Sequence, residues 1–444
     1  MKAIFRKIYL EERFFTVLAL LILGFLIAYT FEDLYGAVKL LFFLFLLVFL
    51  VDFTLLFASK GGITAIREVP NKLSNGDENV LHINISNGYF FSVGIKIVDE
   101  IPFQFQKRDF LIGSSLAKGR SAHFTYSLRP TQRGIHSFGN LNVFVSSPIG
   151  FIAKKYTFDN AVEVAVYPSF LQLRKYDLLA FSNRLSQYGL KKIRKIGQTM
   201  EFEQIKEYVQ GDNIRNLNWK ATAKRGHLMV NQYQDEKAQP IYSVIDKGRV
   251  MKMPFNGLSL LDRAINATLV ISNIALKKND KAGMFSFCRR MENRVMAEKR
   301  SSQMNRIMEN LYNLQTDFAE SDFGRLYTDI KRTLHQRGLL LLYTNFETLD
   351  ALKRQLPYLQ AISKHHLLVV IFFENTELTE FADRKANTVQ QIYEQTIAEK
   401  FIYEKKLIVN ELRRFGIQTL LTKPENLTVD TINKYLEIKA RGLL

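Results

Sequence analysis

One cysteine, Cys288, one tryptophan, Trp219, and seven histidines are all that 444 residues contain of three reactive or diagnostic side chains. A single cysteine excludes an internal disulfide framework and any multi-cysteine metal site, and it suits a reducing compartment. Cys288 stands in the apolar run MFSFC with nothing beside it to activate a thiol, so it reads as a core residue. The sequence has no Gly-x-Ser-x-Gly elbow, no His-Glu-x-x-His, no Cys/His nucleophile arrangement and no GxxxxGK[ST]. These absences argue against common hydrolase and nucleotide-binding chemistries. His82, His123 and His136 fall in separate runs without carboxylates at ligand-like spacing and read as strand-face residues.

Acidic side chains are also scarce, 43 Asp plus Glu against 61 Lys plus Arg, for a formal net charge of +18. The excess points to an anionic partner, whether lipid headgroups, an acidic protein face or nucleic acid. Base stacking needs several exposed aromatics on one basic face. Here the aromatics mostly fall in membrane-like or core-like runs, so nucleic acid is disfavoured.

Long apolar runs are abundant at the N-terminus: FFTVLALLILGFLIAY from Phe14 to Tyr29 and VKLLFFLFLLVFLVDFTLLFA from Val38 to Ala58. At about 1.5 Å per residue they cover roughly 24 and 31 Å, against a hydrocarbon core of roughly 30 Å. No small-x-small cleavage site follows Tyr29 and a second span arrives at once, so a retained helical hairpin is expected rather than a signal peptide. Lys2, Arg6, Lys7 and Arg13 precede the first span and Lys60 and Arg67 follow the second. The connecting TFEDLYGA carries only Glu32 and Asp33, which places both termini and the soluble regions in the cytoplasm. The Asn84–Ser86 sequon then stays unglycosylated. Asp52, inside the second span, reads as lying within reach of headgroup water or Lys60 rather than as a proton relay.

Residues 61–170 carry short alternating runs with turn residues between them, such as ITAIREV, NVLHINISN and VEVAVYPS, the pattern of a β-sandwich. Residues 240–444 alternate strand and helix periods. IYSVID, AGMFSFC, GLLLLYTN, HLLVVIFF and IQTLLT are the strand candidates, with helices filling the stretch to about Gln336 after AGMFSFC. Such a chain makes a mostly parallel sheet covered on both faces, with ligands bound outside the carboxyl ends of its strands. Asp246 and Asn345 fall at two such ends. The expected plan is a hairpin over 1–60, a cytoplasmic β-sandwich over 61–170, a linker over 171–239 and an α/β domain over 240–444.

The linker holds a basic cluster, GLKKIRKIGQ from Gly189 to Gln198, suited to an anionic leaflet or to a solvated connector. It also holds EYVQGDNIRNLNWKATAK. There Gly211 permits a tight turn, Asp212 is a candidate N-cap for a helix running through Ile214, Leu217 and Ala221, and Arg215 is placed to pair with Asp212. Trp219 lies off that helix's apolar stripe and reads as an interdomain wedge or, alternatively, as a partner contact.

This run resembles the hallmark of the bacterial domain-of-unknown-function fifty-eight family, carried here by Tyr208, Gly211, Asp212, Arg215, Trp219, Ala223, Lys224 and Glu236. Lys224 stands where the family usually has arginine and Asn218 where it often has aspartate. RGIHSFGNLNVFVSSPIGF, from Arg133 to Phe151, is similar to the family's second recurring stretch. The resemblance implies a protein of the bacterial cytoplasmic membrane whose C-terminal domain is von Willebrand factor A-like and which works beside MoxR-type AAA+ ATPases. Von Willebrand A domains often bind a divalent cation through Asp-x-Ser-x-Ser. Here those positions are Asp246, Gly248 and Val250, and a later aspartate position appears as Asn345, so neither metal nor other cofactor is expected. Lys247 and Arg249 are the candidate residues for docking an acidic partner. The leading expectation is a non-enzymatic membrane scaffold. The alternative is a hydrolase or nuclease, with or without metal, using Asp246 and Asp212.

Overall fold

The computed structural model describes residues 7–59, 61–107, 109–173, 176, 200–210, 212, 214–235, 238–386 and 388–443. The basic cluster at 189–198, Lys60, Gly211 and Glu236 lie outside them. The chain divides into two compact units, Met1–Tyr167 and Pro168–Leu444. The helical hairpin therefore folds with the sandwich, and the family run belongs with the α/β unit.

In the first unit β1 (Ile8–Leu10) leads into helices α1 (Glu12–Thr30) and α2 (Tyr35–Phe57). Both helices are long and apolar enough to cross a membrane. Their surfaces are apolar all round and mostly bare, with only Ala28 of α1 and Phe45, Asp52 and Leu56 of α2 buried. The joint is tighter than the sequence pattern implies, because α2 resumes at Tyr35. β1 has no sequence signal, being three residues long, yet it pairs antiparallel with β10 from Ile8↔Lys154 to Leu10↔Ile152.

The sandwich strands are β2 (Ile63–Glu68), β3 (Lys72–Ser74), β4 (Asn79–Asn87), β5 (Val93–Asp99), β6 (Ile112–Leu116), β7 (Ser121–Leu128), β8 (Gly134–Phe138), β9 (Leu141–Ser146), β10 (Ile152–Phe158) and β11 (Val162–Tyr167). They form a five-stranded sheet ordered β1-β10-β9-β5-β6 and two three-stranded sheets, β2-β4-β7 and β3-β11-β8. Ile83, Ile95, Val143 and Val166, from all three sheets, share one core. Period two sets the faces: β4 buries Leu81, Ile83 and Ile85 and turns Val80, His82, Asn84 and Ser86 outward.

The same period carries Arg67 inward, behind Ile63 and Ala65. Its guanidinium donates to the Asp99 carboxylate, to Gly139 O at 3.0 Å and to Asn160 O, while the Tyr126 hydroxyl also donates to Asp99. Arg67 is thus a core ion-pair residue and not part of the basic membrane flank that the sequence implied.

Asp52 also departs from its expected role. It is fully buried, its Oδ1 accepting from Ser147 Oγ and its Oδ2 from Phe151 N and Ile152 N, both at 2.9 Å. One turn on, Leu56 enters the sandwich core, with Phe49, Phe53 and Phe57 packed against it. Replacing Asp52 by alanine would strand these three donors. A loss of roughly 3–5 kcal/mol is expected, seen as a lower unfolding midpoint, while Asp33→Asn in the hairpin loop leaves the midpoint unchanged.

The second unit opens with β12 (Met200–Glu207), α3 (Trp219–Arg225) and β13 (Met229–Asp235), the two strands pairing antiparallel. Then follow β14 (Pro240–Asp246), a two-residue-per-strand hairpin β15 (Pro254–Phe255) and β16 (Leu258–Ser259), α4 (Leu260–Lys277), β17 (Lys281–Phe287), β18 (Met291–Glu298), α5 (Gln303–Tyr312), α6 (Phe323–Thr333), β19 (Leu339–Tyr343), α7 (Leu349–Ser363), β20 (Leu367–Phe373), α8 (Thr376–Ala382), α9 (Val389–Arg414), β21 (Gln418–Thr422) and α10 (Leu427–Ala440). The sheet order is β18-β17-β14-β19-β20-β21. All neighbours are parallel except β17 and β18. The antiparallel edge β18 replaces part of the helical stretch expected there. α4, α5 and α10 cover one face and α6, α7 and α9 the other. Chain order reverses between β14 and β19, which makes their carboxyl ends the switch point where such sheets hold ligands.

Candidate functional site

At the switch point β14 and β19 run parallel, with Ile245 beside Tyr343, so the residues that follow them are neighbours. Thr344 Oγ1 donates to Asp246 Oδ2 at 2.7 Å, and Gly248 N donates to Oδ1 at 2.8 Å. Ser321, from the loop between α5 and α6, donates its hydroxyl to Oδ1 as well. Asp246 is fully buried, and burial pushes its carboxyl above the usual range against the pull of these hydrogen bonds. A Cβ placed on Gly248 would stand 2.1 Å from Ser321 Oγ and 3.0 Å from Asp246 Oδ1. The hydroxyl absent from position 248 is therefore supplied from elsewhere in the chain, and glycine is what leaves room for it.

Asn345, the other strand-end residue, accepts from Lys405 Nζ of α9 at 2.7 Å, and Lys405 also donates to Phe346 O. Burial lowers the Lys405 ammonium to about 8. Asp246, Ser321, Thr344 and Asn345 line a cavity of about 1070 Å³ rimmed by Arg249, Lys252 and Arg354. The donor set does not fit a divalent cation. Asp246 is held by three donors, Val250 packs against the core, and the Asn345 oxygen is taken by an ammonium. Among the described residues no three His, Cys, Asp or Glu groups converge on a metal position.

Lys247 is not a docking residue. It is buried, pairing with Glu292 of β18 at 2.6 Å and donating to Gln315 O at 3.0 Å. The ammonium turns inward because the edge strand, unseen in the sequence, brings a carboxylate to it. Lys247 in turn holds the Glu292 carboxyl below its ordinary value. Arg249 is exposed. Cys288 is buried, donates to Ala319 O at 3.3 Å and has its thiol pushed up by burial, in keeping with a core role.

The family run takes a shape of its own. Asp212 accepts from Lys206 Nζ at 2.9 Å and Val209 N at 3.0 Å, and the Lys206 hydrogen bond lowers its carboxyl. It closes a turn and does not cap a helix. The cap is Asn218, whose Oδ1 accepts from Ala221 N at 3.0 Å, so α3 starts at Trp219 and does not run from Ile214. An amide performs this capping as well as a carboxylate would. The Arg215 side chain lies outside the described residues. Trp219 is 68 % exposed, with Lys220, Ala223, Lys224 and Arg225 exposed around it. Asp212 does not line the cavity that holds Asp246. In the sandwich His123 Nε2 lies 3.0 Å from His82 Nδ1, a cross-strand pair that separate sequence runs concealed.

Residues 204–382 match the model of a family described as protein of unknown function DUF58. That stretch of the chain is a DUF58 region. The DUF58 region starts in β12, ends in α8 and so takes in the exposed Trp219 and the whole Asp246 cluster. The uncharacterized protein YeaD of Bacillus subtilis (strain 168) is 25% identical over 169 residues, 38% of this chain and 39% of YeaD, so the match spans about two fifths of that relative. Among solved structures, the CARDB domain of the PF1109 protein from Pyrococcus furiosus is similar at 15% identity and TM-score 0.18, covering 24% of this chain and 88% of that one. The PapD-like domain 7 of human CEP192 is similar at 8% identity and TM-score 0.18, covering 24% and 86%. The sandwich assignment rests on this chain's own strand pairing.

Two outcomes follow for the DUF58 cluster. Gly248→Ser collides with Ser321 and is expected to destabilise by about 1–3 kcal/mol; adding Ser321→Gly restores most of that loss, because one hydroxyl then replaces the other, as thermal unfolding of both variants would record. The second concerns pH. The folded state holds the Asp246 proton more tightly than the unfolded chain, whose carboxyl titrates near about 3.9. Stability thus falls as pH rises from that value through the raised folded pKa, then levels. Asp246→Asn removes this fall, measured as the difference between the two unfolding midpoints across pH.

Proposed function

We propose that the chain is a non-enzymatic scaffold anchored in the bacterial cytoplasmic membrane by α1 and α2, with its sandwich and α/β unit in the cytoplasm. Lys2, Arg6, Lys7 and Arg13 before α1, against Glu32 and Asp33 in the hairpin loop, support that orientation even with Arg67 withdrawn into the core. The net charge of +18 suits an anionic leaflet nearby. The α/β unit is read as von Willebrand factor A-like: an aspartate ends its first sheet strand, a threonine meets it from the neighbouring strand end, and an antiparallel strand closes one edge.

The partner in this reading is a MoxR-type AAA+ ATPase, the class that the family resemblance implies, and the energy-consuming chemistry is the partner's. The observation that carries docking is Trp219. An exposed indole amid Lys220, Lys224 and Arg225 has the composition of an interface anchor and serves no core. Arg249 and Arg354, at the rim of the Asp246 cavity, offer further positive charge to an acidic partner face.

The test is capture of the tagged full-length chain from gently solubilised, crosslinked membranes, beside a Trp219→Ala version. Recovery of a MoxR-type ATPase with wild type and its loss in the variant is expected, since an anchor of this kind contributes about 2 kcal/mol or more, roughly thirtyfold in affinity. Equal recovery by both removes Trp219 from the contact, and absence of the ATPase from both removes the partner.

A further inference from the structure

A second cavity, of about 540 Å³, lies at the carboxyl ends of the parallel strands, bounded by the segments that follow β14, β19, β20 and β21 and by α8 and α9. Its walls are mostly apolar, with Met253, Phe255, Phe373, Leu378, Phe401 and Leu421 prominent. That volume and lining are those of a small-molecule site, and the position is where α/β sheets hold ligands.

One group does not belong in such a wall. Lys405 lines the cavity yet is 9 % exposed. Its ammonium has three donors. Two meet neutral acceptors, Asn345 Oδ1 and Phe346 O, and the Phe372 ring lies 5.9 Å away. Glu347 acts on it through space and not by a hydrogen bond. A buried cation without a bonded counter-charge is unfavourable unless something completes it, and one N–H remains for that purpose. Glu347, Glu374 and Glu377 outnumber Lys405 and Lys406 along the lining, so a multiply charged anion such as a phosphoester is repelled more strongly than a single carboxylate, whose one charge the Lys405 N–H can offset.

We propose that this cavity binds an apolar monocarboxylate, an aromatic or acyl acid, with the carboxylate on Lys405 Nζ and the hydrocarbon among Phe373, Leu378 and Phe401. The ligand supplies the hydrogen-bonded counter-charge that Glu347 does not and fills apolar space in the same step. The site stands independently of the scaffold reading. Asn345 and Glu347 border both this cavity and the one holding Asp246, so the acid would lie against the wall they share.

The experiment is fluorine NMR titration of 6-fluoro-2-naphthoate and of its neutral amide against the full chain in lipid nanodiscs, with empty nanodiscs as blank. Saturable binding of the acid, with the amide weaker by about tenfold or more, is expected. Lys405→Met should abolish the preference for the acid, and Leu378→Trp, which fills the cavity, should abolish both. Acid binding should also weaken above pH 8, where Lys405 loses its proton. Acid and amide binding alike to wild type, acid binding untouched by Leu378→Trp, or no saturable binding would each overturn the proposal. Should Lys405→Met unfold, the acid-to-amide comparison and the tryptophan variant still decide it.

Discussion

Taking a carboxylate out of water costs several kcal/mol unless donors replace the lost hydration, and both units are organised around aspartates that meet this demand. Asp52 gathers Ser147, Phe151 and Ile152; Asp99 gathers Arg67 and Tyr126; Asp246 gathers Gly248, Ser321 and Thr344. Asp280 accepts from Tyr435 and from Lys439 at 2.8 Å, fastening the last helix to the start of β17. Each joins segments far apart in sequence, so each acts as a directional fastening where apolar packing alone would be nonspecific. Losing one donor in such a cluster leaves the others facing an unbalanced charge, which is why these residues cannot be exchanged singly without loss.

The Asp246 cluster and the Lys405 cavity are two outcomes of one topology. Parallel strands expose their ends on one edge of the sheet, and the reversal between β14 and β19 opens a gap there. In the Asp246 cavity, hydroxyls and a backbone N–H close around the carboxylate. Beyond Asn345, α8 and α9 roof an apolar hollow and leave an ammonium at its wall. Neighbouring sites of opposite charge thus share the Asn345 side.

Much of this was legible in the sequence where a period ran long enough. The alternation in NVLHINISN placed β4, and the buried runs IYSVID, LLLLY and LLVVIFF placed three central parallel strands. The ends Asp246 and Asn345 were readable for the same reason. What escaped was set by distant contacts. IYL carries no strand signal and MENRVMAE a weak one, and both become strands because β10 and β17 offer them edges. Ser321 has no local mark, since its role exists only because Gly248 leaves space. Lys405 has no local mark either, since its partners Asn345 and Phe346 lie 60 and 59 residues away. Lys247 and Arg67 were misread as surface cations because the carboxylates that draw them inward, Glu292 and Asp99, lie 45 and 32 residues away.

The clasp between Asp52 and the 147–152 turn has a mechanical meaning. β1 enters α1 from a sandwich sheet, and α2 re-enters the sandwich core at Leu56, so both arms of the hairpin are rooted in one folded body. A flexible leash would let the β unit swing freely; two roots and a three-donor clasp make it a stiff bracket. Load applied to the sandwich then passes to the hairpin through the three hydrogen bonds of the clasp as well as through the two roots.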